Sequence, residues 1–332
     1  MNSVSARAHT TRHLPLWAGL ALAIVGGLMM PIQGRINGAL SEQMGDGNAA
    51  AAISFAGGTV VMILVSLMLP RGRAGLIAMR RAVTGREFPR WYLLAGLSGG
   101  YIVFGQSHAV PLIGVALFTV AIVTGQTISG LMVDRVGFGP GGKRYVTARR
   151  MAGAVLMIIA VLWAVSPRLE TSAGGLVWLI PILMPFSAGL FMGFQQAMNG
   201  TQTAAYGTPI TATLVNFLTG GTALFILWGL ASLAAPRHLE FPSEWWLYTG
   251  GVFGCVFIAI GALLVKSLGV LVSGLCMIAG QLIGSLAIDI ILPAPGTVVA
   301  LATVLGTVLT LVAVVLASIP TGHRPRVRPP RP

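Results

Sequence analysis

The 332 residues are 55% hydrophobic and 9% charged, with 21 Lys and Arg against 8 Asp and Glu and a formal net charge of +13. A soluble domain carries roughly 25% charged residues, so this composition excludes an ordinary soluble protein and indicates an integral membrane protein. The basic excess does not point to nucleic acid, because the Lys and Arg fall in short clusters between apolar runs without interleaved aromatic residues.

Residues 1–13 form a basic leader with Arg7 and Arg12, and an apolar run follows at 14–32. That outline also fits a signal peptide, but the same run recurs in the second half of the chain, which predicts a retained helix. Further runs of spanning length lie at 48–69, 91–108, 112–133 and 149–165. A second set lies at 176–198, 209–233, 245–265, 268–292 and 298–319. The stretch at 70–90, with Arg71, Arg73, Arg80, Arg81, Arg86 and Arg90, reads as an inner connecting loop. Cys255 and Cys276 sit inside apolar runs without metal-ligand spacing and read as small packing residues.

The two sets of runs are copies. At an offset of 162, Gln33 meets Gln195, Asn37 meets Asn199, Gly38 meets Gly200, Gly45 meets Gly207, Phe55 meets Phe217 and Gly58 meets Gly220. At 155, Trp91 meets Trp246, Gly96 meets Gly251, Gly99 meets Gly254, Gly114 meets Gly269, Gly125-Gln126 meets Gly280-Gln281 and Asp134 meets Asp289. At 153, Gly153 meets Gly306 and Pro167 meets Pro320. Chance similarity between apolar helices would match Leu, Val and Ala rather than Gln, Asn and Asp.

The expected fold is therefore all-α membrane, with ten transmembrane helices as two five-helix repeats at 14–165 and 176–319. An outer linker at 166–175 joins them, and a basic, Pro-rich cytoplasmic tail follows at 320–332. An odd number of helices per repeat makes the second copy enter the membrane upside down, an arrangement found in secondary transporters. With both termini cytoplasmic, all of the 21 Lys and Arg except Arg35, Arg168 and Arg237 fall on the inner side, as the positive-inside rule requires.

The Gln-x-x-x-Asn-Gly pattern of the first helix of each repeat (Gln33, Asn37, Gly38; Gln195, Asn199, Gly200), the Phe-x-x-Gly of the second and the Gly-Gln followed by Asp of the fourth resemble the drug/metabolite transporter superfamily. Within it the chain is most similar to the YdcZ-like branch, over roughly 14–319. The resemblance implies a bacterial inner-membrane permease or exporter for a small metabolite or toxic compound, and leaves a homodimer open. The related small multidrug exporters carry a glutamate in the first helix. Here 14–32 has no acidic residue, so their proton chemistry is not carried over.

The candidate solute-binding groups are amides. Gln33 and Asn37 lie one helical turn apart and face the same side, as do Gln195 and Asn199. Gln126 and Gln281 fall nearer mid-membrane. Amides both donate and accept, which suits a polar solute, while helix-to-helix packing is their alternative role. Both amide pairs are expected where their helices meet water, with Arg35 in the outer loop and Pro31 kinking or interrupting the first helix. Arg35, Asp289, Asp134 and His108 are the candidates for coupling or solute charge. Arg35 is expected to pair with Glu42 or to attract an anionic solute.

No pattern for ATP hydrolysis, no two-His metal pair and no paired protease acids are present, so neither an enzyme, a cofactor nor a metal is expected. The reading is a secondary active transporter working by alternating access. Its partners would be a small-molecule solute, the lipid bilayer and, if transport is coupled, an ion or proton. A non-transporting scaffold subunit or a passive channel are the alternatives.

Overall fold

In the computed structural model, described for residues 15–139, 142–143, 147–171, 179–235, 238–268, 270–292 and 300–318, the chain is all helical, with no strand among the described residues. The helices are α1 (Leu16–Met44), α2 (Gly47–Met68), α3 (Pro70–Thr84), α4 (Gly96–Val136), α5 (Ala148–Thr171), α6 (Leu179–Tyr206), α7 (Pro209–Ala234), α8 (Gly250–Leu268), α9 (Val270–Ile291) and α10 (Leu301–Ser318). The basic leader at 1–13, the linker's second part at 172–175 and the tail at 320–332 lie outside the described residues.

Five helical stretches among the described residues are long and apolar enough to cross a membrane: Leu16–Met44, Gly47–Met68, Arg90–Val136, Leu179–Tyr206 and Pro209–Ala234. Three shorter apolar helices, Trp245–Ile260, Cys276–Ile291 and Leu301–Leu316, accompany them. A straight helix of α4's 41 residues would reach about 62 Å, twice the roughly 30 Å hydrocarbon core. It is broken at Gly114, where φ is 80° and ψ 167°, so it consists of two arms, 96–113 and 115–136. The sequence reading separates these helices at 109–111; the helix instead continues through Pro111, and the glycine makes the break.

Other boundaries differ from expectation for identifiable reasons. α1 runs on through Pro31 to Met44 and ends only where Gly45 adopts φ 66°; Gly207 does the same at the end of α6, with φ 71°. Both positions are left-handed, which glycine adopts without steric cost. The next residue then starts a new helix. The Asp46 carboxylate accepts from the Asn48 and Ala49 amides at 2.8 and 3.1 Å, and the Thr208 hydroxyl accepts from Ile210 N at 3.3 Å, with Pro209 at the first helical position. The stretch read as an inner loop at 70–90 contains a helix, α3, started by Pro70. Its Gly75 packs on Thr208 and Thr211 at the start of α7.

α4 is the centre of the molecule: 83% of its apolar window is buried, against 39–50% for the other four long stretches. Its second arm supplies Val115, Leu117, Phe118, Val120, Ile122 and Val123 to the largest apolar cluster, which also takes Met157 and Val161 from α5, Met192 from α6 and Leu282 from α9. Around it α1 packs on α8 and α9, α6 on α4, α2 on α7 and α5 on α10.

Candidate functional site

The tightest helix crossings come in matched pairs. A Cβ on Gly27 would strike the carbonyl oxygen of Met277, and one on Gly189 would strike that of Ile122. A Cβ on Gly280 would meet Ile24 O, and one on Gly125 would meet Phe186 O; Gly251 faces Ser54 O as Gly96 faces Asn216 O. Each pair is related by the sequence offsets of 162 and 155. The contacts of α1 with α8 and α9 are thus repeated by α6 with the two arms of α4. Backbone meets backbone because glycine leaves no side chain between, the way membrane helices approach closely.

The amides sit at these crossings, inside the helices. This corrects the expectation that both pairs lie at helix ends in contact with water: Gln33, Asn37 and Gln195 are buried, and Asn199 is partly buried. Because α1 extends to Met44, its polar turn lies within the bundle rather than at its rim. Gln33 lies against Gly254 of α8, as Gln195 lies against Gly99 of α4. Asn37 Nδ2 donates to Gln106 Oε1 at 2.8 Å. In the second copy, Gln195 Nε2 donates to Asn216 Oδ1 at 3.3 Å, and Asn216 Nδ2 donates to Asn199 Oδ1 at 2.7 Å.

Gln126 and Gln281 occupy two different crossings. Gln126 N faces Gly189 of α6, and Gln281 N faces Gly27 of α1. The side-chain Oε1 of each is buried without a hydrogen-bond partner among the described residues. A buried acceptor without a partner is costly, and the same atom is left so at the same position in both copies, as are Asn37 Oδ1, Gln106 Nε2 and Gln202 Oε1 elsewhere among the described residues. A groove of about 530 Å³ between α2 and α7, lined by Ala56, Thr59, Phe217 and Phe225 among others, contains none of the candidate amides. Its exposed rim residues Val60, Leu218 and Ile226 suit lipid rather than a polar solute.

The charged candidates are all engaged within the protein. Arg35 lies inside α1, not in an outer loop as expected, and its Nε donates to Leu292 O at 3.2 Å. Asp289 is buried and accepts from Val115 N at 2.9 Å and Ala116 N at 2.7 Å. Asp134 accepts from Arg150 Nη1 at 2.8 Å. His108 Nδ1 lies 2.9 Å from Phe104 O, its ring tilted 30° against that of Phe104, and it packs on Gly47 at the start of α2. No group of three or more His, Cys, Asp or Glu capable of holding a metal occurs among the described residues.

Two polar residues in the site are absent from the sequence reading. Asn216 links both amides of α6, and Ser54 stands at the matching position of α2, beside Gly250 and Asn37. The 162-residue offset aligns them, so the repeat could have found them; the mismatch of Ser with Asn concealed the pair.

A protein-family model described as "Putative inner membrane exporter, YdcZ" matches the chain over residues 18–163 and again over 180–316. The chain belongs to this family. The two matched stretches fall within the two copies read from the offsets, and the family's description is of transport rather than catalysis. The chain is accordingly a multi-pass inner-membrane protein of an exporter family. No curated protein matches it.

Proposed function

We propose that the chain is a secondary active transporter, an exporter or permease, that moves a small polar metabolite or toxic compound across the inner membrane by alternating access. Ten helices form two inverted five-helix repeats, and both termini are cytoplasmic. The observation that carries this reading is the reciprocity of the crossings. α1 lies on α8 and α9 as α6 lies on the two arms of α4, so exchanging the conformations of the halves gives a second state of the same contacts.

Solute recognition belongs to Gln126 and Gln281. Their unpartnered oxygens accept hydrogen bonds from a donor-bearing solute at the interface between the repeats. Asn37, Gln195 and Asn199 are already bonded within the protein and hold the helices in register around that interface, with Gln33 beside them. His108, packed on the start of α2, is where a coupling proton would be sought.

Reconstituted protein is expected to show counterflow, in which unlabelled solute inside liposomes accelerates entry of labelled solute, for at least one member of a panel of small polar metabolites. Flux that neither saturates nor responds to solute on the far side would replace this reading with a channel.

A further inference from the structure

The helix α3 is not part of what the two repeats share. At the matching connection of the second repeat, between Ala234 and Trp245, the sequence carries Arg237, Glu240 and Glu244, and its described part, 238–244, forms no helix. α3 and the turn after it carry instead Arg71, Arg73, Arg80, Arg81, Arg86 and Arg90 against a single acid, Glu87, and all six arginines are exposed. Among the described residues no carboxylate forms an ion pair with any of them.

One face of α3 is fixed to the bundle. Gly72 lies against the backbone of Ser66 in α2, Gly75 against Thr208 and Thr211 at the start of α7, and Ala82 is buried. The opposite face is centred on Ile77, which is 58% exposed. Arg73 stands four positions before it and Arg80 and Arg81 three and four after, the spacings that share one helical face. Exposed Leu67, Met68 and Leu69 lead into α3, and exposed Trp91 and Leu94 lead out of it, so both flanks are the ends of apolar spanning stretches. A Trp at such an end marks the depth of the headgroups. An exposed isoleucine set among arginines at that depth is the arrangement of a helix lying in the interface, where the apolar side chain dips among acyl chains and the guanidinium groups reach back to phosphate.

We propose that the outer face of α3 is a docking surface for the headgroups of anionic phospholipid, with Arg73, Arg80 and Arg81 donating to the lipid phosphate. Guanidinium matches phosphate oxygens two at a time. A zwitterionic headgroup sets its own cation beside the phosphate, so the surface prefers lipid of net negative charge. A soluble acidic partner has no use for Ile77 or for the apolar flanks. Because the buried face of α3 rests on the start of α7, beside the left-handed turn at Gly207, lipid held there braces the corner between α6 and α7.

Native mass spectrometry of the full chain, incubated in detergent with equal amounts of phosphatidylglycerol and phosphatidylcholine of the same acyl chains, reads the preference as a ratio of bound adducts. Wild type is expected to retain phosphatidylglycerol selectively. The variant Arg73→Gln/Arg80→Gln/Arg81→Gln is expected to lower that ratio at least about tenfold, one arginine near an anionic surface being worth about fivefold. Should the triple variant lose its monodisperse peak, the single variants decide, each with an expected loss of about fivefold. Arg135→Gln/Lys143→Gln/Arg149→Gln removes as many exposed positive charges elsewhere and is expected to change the ratio far less. Equal retention of the two lipids by wild type, or the same loss in this control, overturns the surface on α3. Binding of an RNA oligonucleotide by wild type with a lipid ratio near one would give the arginines to a soluble polyanion and likewise overturn it. The ratio is read without solute, so it stands or falls separately from counterflow.

Discussion

α1 and α6 carry the same two amides one turn apart, and they use them differently. Asn37 of α1 reaches across to Gln106 in the first arm of α4, whereas Gln195 and Asn199 of α6 both bond to Asn216 in the neighbouring α7. The backbone around them is nevertheless matched, Gly254 beside Gln33 and Gly99 beside Gln195. Two substitutions accompany the difference: Ser54 stands where α7 has Asn216, and its short side chain cannot bridge two amides, while Gly261 stands where α4 has Gln106. Glycines at the crossings thus fix where the helices lie, while the polar side chains around them are free to differ.

The most damaging way to test this division is to disturb the backbone contacts. Gly27→Val and Gly189→Val each drive a side chain into a carbonyl of the facing helix. Overpacking by one or two methylenes typically costs roughly 1–3 kcal/mol, and here the obstacle is backbone that cannot change rotamer. Both variants are expected to lose the monodisperse peak in size-exclusion chromatography, or to melt far lower, and to the same degree; tolerance of one but not the other would break the equivalence of the crossings. Next in size are the amide networks. Asn216→Ala strands groups on both Gln195 and Asn199, and Asn37→Ala strands one on Gln106, at about 1–3 kcal/mol per unsatisfied group. Thermal unfolding followed by Trp fluorescence should therefore fall further for Asn216→Ala than for Asn37→Ala.

The glutamines should behave in the opposite sense. Gln126→Ala and Gln281→Ala each remove a buried oxygen that has no partner among the described residues, so melting is expected to hold or rise while counterflow drops about tenfold, the loss of one good hydrogen bond to solute. A fall in melting with unchanged counterflow would return these residues to the packing class of Asn37. The smallest effect is expected at Thr59, whose hydroxyl donates to Phe55 O at 2.8 Å on the wall of the lateral groove. Thr59→Val should shift stability by no more than about 0.5 kcal/mol and leave counterflow unaltered.

Membrane class, the duplication and the family were legible because they are carried by composition and by residues that apolar helices do not match by chance. The crossings were half legible: Gly27, Gly125, Gly189 and Gly280 are visible as letters, but the helix each one meets is decided by packing. Helix lengths were misread where polar residues occur inside the bundle. Gln33, Arg35 and Asn37 look like a helix end in a sequence read for hydropathy, yet each finds a partner or a close glycine within the protein, and that removes the reason to end the helix. α3 was hidden by its arginines, which read as a loop until Gly72 and Gly75 are seen to bury one face. The role of Asp289 could not be read at all, since it acts on amides more than 170 positions away.

The glycine crossings have a mechanical consequence. Where Gly27 meets Met277 and Gly189 meets Ile122, the surfaces in contact are peptide planes and have no rotamers to exchange. A helix resting on such a point can tilt as a rod on a bearing, with its ends sweeping through the largest arc and its middle hardly displaced. Resistance to such tilting then falls on the contacts toward the helix ends and not on the crossings themselves.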